Sequence, residues 1–310
     1  MRPTFSIIFF TTASGAGYGM LFMLGLLNLR GELPSATAFT LLSFGIAFGL
    51  VTAGLLSSTL HLGNPQRAWR ALSQWRTSWL SREGVMAIIT YPLAGLFAGS
   101  LLLDTAPTAT IILGVLTSIC AGLTIYTTAN IYSSLKTINE WHHILVTPNY
   151  MLLGLTSGCC ILFAEMMIFF GGLYEPMLII CTVLLLVSII MKRLYWRDID
   201  RQKATSSPET ATGLGAIGKV TPLEHPHSQA NWVMREMGFK VARDHARSLR
   251  LICLICLIAA LACVMLGGVI VESSMATIFV LAAVPLLGIG VVVERWLLFA
   301  EAKHVVMNYY

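Results

Sequence analysis

Long apolar runs recur along the whole chain, too long and too many for the core of a water-soluble domain. Hydrophobic residues make up 56% of the 310 residues and charged ones only 11%; soluble domains carry about 25% charged residues. Apolar stretches of 18 or more residues with few charges read as transmembrane helices. Lipid leaves no partner for an open backbone, so the choice is helices or a closed barrel. Residues 111–116 and 179–190 lack the polar alternation of a barrel strand. The fold class that follows is an all-alpha integral membrane protein, a bundle of eight transmembrane helices. Its spans are expected near 4–29, 38–60, 84–103, 108–132, 149–171, 176–192, 249–270 and 274–298. The third and sixth are the least secure, and a count of seven or nine stays open.

With eight spans, both termini and the loops 61–83, 133–148 and 193–248 share one side. That side holds Arg2, Arg67, Arg70, Arg76, Arg82, Lys136, Lys303 and the basic residues of 193–248. The other holds Arg30 with Glu32, Asp104, Glu175 and Glu272. The positive-inside rule therefore places both termini in the cytoplasm. The first span follows Met1-Arg2-Pro3 directly and is expected to be retained rather than cleaved as a signal. A net charge of +5 then reflects inner-surface loops and contact with lipid headgroups, not nucleic-acid binding. The whole chain reads as a single membrane domain, 1–310. Its loop 193–248 has a Ser/Thr/Gly/Ala-rich stretch, 202–218, expected to be flexible or draped on the surface. It also has an amphipathic helix at about 228–247, suited to docking a partner through Trp232, Met234, Met237 and Phe239.

Seven cysteines, at 120, 159, 160, 181, 253, 256 and 263, all fall in apolar spans. The pair Cys253 and Cys256 has C-x-x-C spacing but apolar neighbours, so both read as small buried hydrophobes. No cysteine set here suits an iron–sulfur cluster. None of the seven histidines lies deep in a span, so a haem held between two of them is not expected. Transport is a rival function for such a bundle, yet no repeat relates the two halves. Glu165 is the one deep ionisable residue, expected to be neutral, paired or in a polar cavity. In the first span, residues 13–19 form a small-residue face with Gly15 and Gly19 four apart. It suits close helix packing or the entry of a flat ligand.

The polar residues of most interest flank one inner loop. His61 ends the second span, and Gly63 and Pro65 stop that helix. Ser81 is placed to cap the third helix, with Glu83 in its first turn, where the helix field favours a carboxylate. His61 and Glu83 have a second reading. A quinone changes two protons with two electrons, so its oxygens need partners that exchange protons near neutral pH. Arg67, Arg70, Arg76 and Arg82 suit lipid phosphate or an acidic protein face, and Trp69, Trp75 and Trp79 the interface belt. Tyr126, Asn130, Tyr132, Ser134, Trp141, His142 and His143 lie at the same level. So do Glu294 and Arg295, whose side chains diverge on a helix and need not pair; Arg295 is suited to snorkel to phosphate. Arg67, Tyr126, Glu294 and Arg295 are the candidates to complete a pocket around His61 and Glu83.

The string His61-Leu-Gly-Asn-Pro-Gln-Arg-Ala68, the Ser81-Arg-Glu83 that opens the third helix, and Glu294-Arg295 resemble the membrane anchor subunits of the dimethyl sulfoxide reductase type. The eight-helix layout extends that resemblance over the whole chain. It implies a three-subunit complex in which a molybdopterin catalytic subunit and a four-cluster iron–sulfur subunit supply chemistry and wiring. The anchor would exchange electrons with quinone, ubiquinone or menaquinone, and hold no haem. The family's histidine matches His61 and its carboxylate matches Glu83. The opening Pro3–Gly19 and the stretch Asn231–Gly238 are similar to the sulfite dehydrogenase branch, which implies electrons passing from sulfite to quinone. An anchor of a sulfoxide or related reductase, oxidising menaquinol, is the alternative; a small-anion transporter is the third. The loop 193–248 is longer than in the sulfoxide reductase anchors.

Overall fold

The computed structural model describes residues 4–60, 63–171, 174–202, 206–221, 223–224, 241–270 and 273–308. Among them, eight helices are long and apolar enough to cross a membrane. They are α1 (Phe5–Leu29), α2 (Thr37–Thr59), α3 (Trp79–Leu102), α4 (Pro107–Ser133), α5 (Val146–Phe170), α6 (Glu175–Arg201), α8 (Val241–Val269) and α9 (Ser273–Ala300), with a one-turn α7 (Pro208–Thr212) between the sixth and seventh spans. The third and sixth spans are thus full-length helices.

Three boundaries differ from the expectation, each for a local reason. Helix α3 begins at Trp79, because Ser78 rather than Ser81 is the cap: its hydroxyl accepts from the Ser81 amide at 3.5 Å. Ser81 lies inside the helix, and its own hydroxyl donates to the Ala71 carbonyl of the preceding 3-10 segment Pro65–Gln74. Glu83 therefore sits beyond the first turn and has no capping role. Helix α6 runs on to Arg201, and α8 starts as early as Val241. Both project polar turns past the apolar core, shortening the loop between them. Within 202–218 the described chain holds two short turns: Ser207 and Thr210 form a capping box at the start of α7, and a 3-10 turn follows at Leu214–Ala216. The expected docking helix lies mostly in 225–240, with Trp232, Met234, Met237 and Phe239, outside the described residues.

Helices α1 and α5 are the most enclosed. The cause is their small-residue faces. Gly15 and Gly19 of α1 meet Gly154 and Gly158 of α5, and a Cβ built on Gly19 or Gly158 would fall inside the other helix's backbone. Apolar burial gives little drive between helices in lipid, so close backbone approach and polar contacts hold the bundle. The alternative use of this face, admission of a flat ligand, is ruled out at Gly15 and Gly19 because α5 occupies the space. Around this pair α1 also packs on α2, α4 and α9, while α3 pairs with α4 and α8 with α9. Hydroxyls add interhelical bonds: Thr90 to Thr124 at 3.2 Å, Thr156 to Ser188 at 3.0 Å, and Ser118 to the Phe22 carbonyl at 2.8 Å.

At one end of the bundle the 134–145 loop is clasped to the C-terminal segment. Val305 N–H donates to the Thr137 carbonyl at 2.9 Å, Lys303 N–H to Glu140 Oε2 at 3.1 Å, and Trp141 Nε1 to the Leu298 carbonyl at 2.7 Å. Tyr195 from α6 donates to the Glu140 carbonyl at 2.9 Å. Arg250 of α8 bridges Asp200 at 2.7 Å and Glu301 at 2.9 Å, fixing the projecting turns of α6 and α8 to the same clasp. Burial pushes the Glu301 carboxyl up, against the pull of Arg250.

Candidate functional site

Ionisable groups inside a span are costly, so each needs a partner or a task. Glu83 is one turn into α3, where the chain has just left the loop, and only 5% of it is exposed. It points at α4, and Thr128 donates its hydroxyl to Glu83 Oε1. The Thr124 carbonyl stands 2.9 Å from the same hydroxyl, so the two acceptors share its single proton. Tyr18 of α1, Tyr132 of α4 and Tyr150 of α5 all lie within electrostatic reach of Glu83. The Tyr18 hydroxyl is buried with no hydrogen-bond partner among the described residues. A buried carboxyl with hydroxyls around it can exchange a proton with a hydrogen-bonding ligand.

A second polar group joins α5, α6 and α9. Lys192, Glu294 and Arg295 are all buried. Lys192 Nζ bonds Glu294 Oε1, and Arg295 Nη1 stands 3.2 Å from Glu294 Oε2. Arg295 lies over the Tyr150 ring at 3.7 Å and donates to the Tyr150 carbonyl at 3.3 Å. One expectation is corrected here and one left open is decided. Arg295 does not snorkel to phosphate, because the Tyr150 face and the Glu294 carboxylate hold it inside. Glu294 and Arg295 do pair, since a long guanidinium can fold back along the helix onto its neighbour. Removing Lys192 alone leaves Glu294 short of a partner in a low-dielectric core. Lys192→Met should therefore cost about 3–5 kcal/mol, and adding Glu294→Met should not recover it, because Arg295 is then buried without a counter-charge. Thermal unfolding of both variants in detergent checks this; equal melting of the single variant and the parent would refute it.

The remaining candidates are dispersed. His61, with Leu62, lies outside the described residues. Arg67 is exposed on the 3-10 segment. Tyr126 is 38% exposed and meets Trp79 edge-on at 5.9 Å, turned away from the Thr128 side of α4. Neither joins the Glu83 group in any recorded contact. Arg82 lies over the Trp79 ring at 4.3 Å and donates to the Trp75 and Arg76 carbonyls, so it braces the loop. Trp141 is buried in the clasp, with Tyr132 and Phe299 against it. His143 meets the Tyr195 ring edge-on at 5.6 Å, and partial burial lowers its pKa. At the far end of α5, Glu165 accepts from Ser43 at 2.5 Å, while its Oε1 is buried with no hydrogen-bond partner among the described residues. All seven cysteines are free; Cys253 donates to the Gly290 carbonyl at 3.3 Å. No group of three or more metal-ligating side chains occurs among the described residues.

Lys192, Tyr18 and Thr128 do not stand out in the sequence as site residues. Lys192 carries a signal: it follows an apolar run from Met177 and precedes a further helical turn with Tyr195 and Trp196, so it need not end the span. Thr128 carries none, because hydroxyls in spans so often bond only their own helix.

The class defined by this arrangement is a multi-pass helical membrane subunit with its ionisable groups gathered toward one end of the bundle. The profile of the DMSO reductase anchor subunit (DmsC) family matches residues 1–221. The chain is 32% identical to the C subunit of sulfite dehydrogenase from Allochromatium vinosum over 334 aligned positions, covering 100% of this chain and 99% of that one. It is 24% identical to the C component of anaerobic dimethyl sulfoxide reductase from Escherichia coli over 155 positions, 49% of this chain and 54% of that one. The chain belongs to the DMSO reductase anchor subunit family, and its apolar helix bundle is that of a multi-pass protein of the bacterial inner membrane.

Proposed function

We propose that this chain is the quinone-reactive anchor of a molybdopterin and iron–sulfur oxidoreductase, passing electrons from sulfite oxidation to the membrane quinone pool. One observation carries the quinone site: the buried Glu83 carboxyl, held by the Thr128 hydroxyl. It is a proton-exchanging group at the depth where an apolar quinone tail lies in lipid and the head reaches the bundle's polar end. His61, which precedes the loop leading to α3, completes the proposal as the second hydrogen-bond partner of the quinone oxygens. Sulfite rests on the full-length likeness to a sulfite dehydrogenase subunit.

The molybdopterin subunit and a four-cluster iron–sulfur subunit would supply electrons one at a time. This chain would position the quinone and exchange its protons. Both termini, the clasp and the 193–248 loop are assigned to the cytoplasm by the positive-inside rule, which puts the partners there too. Residues 228–247 are the proposed docking segment.

The test is the intact complex purified from its native membrane, with sulfite-to-quinone and quinol-to-sulfoxide turnover assayed side by side. Sulfite-driven quinone reduction is the expected result. Sulfoxide-driven quinol oxidation without it would keep the anchor role and overturn the substrate and direction. Flux of a small anion through the chain purified alone would overturn the anchor role itself.

A further inference from the structure

The connection from α2 to α3 carries four arginines, at 67, 70, 76 and 82, and no carboxylate from residue 61 to 82. We propose that Arg67, Arg70 and Arg76 form a binding surface for the phosphate groups of anionic phospholipids, with Trp69 and Trp75 seated among the same lipids. Lipid capture here does not depend on the use made of Glu83.

Two contacts set the depth of the segment. The Ser81 hydroxyl donates to the Ala71 carbonyl. Gly84 has no side chain, and a Cβ built there would stand 2.9 Å from a Leu72 methyl, so Leu72 closes on the bare backbone of α3. Ser81 and Gly84 are the third and sixth residues of α3. At 1.5 Å per residue they lie about 3–8 Å along the helix from its start. The 3-10 segment Pro65–Gln74 therefore rests against the first turns of a span instead of standing off into water. That is the level of lipid headgroups and of the tryptophan belt.

Charge then selects the occupant. None of the four arginines forms an ion pair among the described residues. Glu83, the next acid along the chain, is buried and takes the Thr128 hydroxyl. Arg82 is already engaged: it donates to the Trp75 and Arg76 carbonyls at 3.0 and 2.7 Å and fastens the end of the segment to α3. Arg67, Arg70 and Arg76 are exposed. So are the indoles of Trp69, at 68%, and Trp75, at 52%. Arg70 and Arg76 each lie over the preceding indole, at 5.6 and 5.5 Å. An indole at the acyl boundary with a guanidinium on its face holds the cation at phosphate height. Basic clusters beside a span attract anionic lipid. An acidic protein face would match the charge, but a soluble partner stands above the headgroups, not beside the third to sixth residues of a span.

The intact complex, reconstituted in nanodiscs of equal phosphatidylglycerol and phosphatidylcholine and released for native mass spectrometry, tests the surface. The parent should retain phosphatidylglycerol in preference to phosphatidylcholine. Combining Arg67→Gln, Arg70→Gln and Arg76→Gln should lower that preference at least about fivefold, the factor one basic side chain supplies at an anionic surface. Lysine at the same three positions keeps the charge and should keep the preference. Lys136→Gln, at an exposed lysine of the 134–145 loop, should also leave it unchanged. If the glutamine variant fails to assemble, the parent decides: its preference should fade as salt is raised during reconstitution, and a preference indifferent to salt would overturn the surface. An unchanged preference in the glutamine variant, or an equal fall in Lys136→Gln, would overturn it too. Parental lipid retention with loss of the partner subunits on purification would also overturn it, and would give the arginines to an acidic protein face instead.

Discussion

Glu83→Gln is expected to lower quinone-linked turnover by about a hundredfold or more, the usual scale for removing a general acid–base group. Dye-linked turnover by the catalytic partner should be unchanged. Glutamine keeps the volume of the side chain and still accepts from the Thr128 hydroxyl, so the α3–α4 contact survives. It cannot take up or release a proton at any working pH. A purely structural carboxyl predicts the opposite pattern, with turnover kept and unfolding altered. Steady-state kinetics with a short-chain quinone, beside a thermal unfolding trace, separates the two. Full quinone turnover in the variant would refute the role of Glu83.

Gly158→Val should prevent the bundle from closing. The added Cβ would overlap the backbone of Gly19 and Met20 on α1, and a backbone cannot swing aside as a flexible side chain does. Overpacking a tight core commonly costs about 1–3 kcal/mol. Here the two most enclosed helices must part along their closest approach, so the loss should meet or exceed the top of that range. The readout is the yield of monodisperse protein in mild detergent and its melting temperature. Gly95→Ala is the control, because a Cβ there meets nothing within 4 Å; it should melt like the parent. Parental yield and melting for Gly158→Val would mean that α1 and α5 are not held at this distance.

The eight spans are legible in the sequence because lipid enforces length and hydropathy on every one of them. Gly15 and Gly19 are legible as a packing face, since a small-residue spacing of four has few other uses. Their partners Gly154 and Gly158 are not, because nothing in a chain states which helix meets which. Glu83 stands out as unusual, but its expected cap geometry fails: Ser78 and Ser81 are both plausible caps, and the 3-10 segment, by drawing the Ser81 hydroxyl to Ala71, decides between them. Lys192 reads as a span boundary because a charge ends an apolar window. Its bond to Glu294, 102 residues away, exists only once α6 and α9 are side by side. Arg295 escapes for the same reason, since the Tyr150 ring that holds it belongs to another helix.

The α1–α5 contact also sets a schedule for making the protein. Gly15 leaves the ribosome 139 residues before Gly154. At about 5–20 residues per second, that interval is roughly 7–28 seconds. During it, the first helix sits in lipid with its glycines and hydroxyl groups bare, the very surface that later becomes the most enclosed. Insertion therefore cannot proceed by each helix settling permanently as it emerges. The first span needs a temporary companion, or a sheltered place beside the translocation machinery, until the fifth arrives. Slowing translation between them should lengthen its exposure to membrane proteases, a cost that falls on the N-terminal helix before any electron has moved.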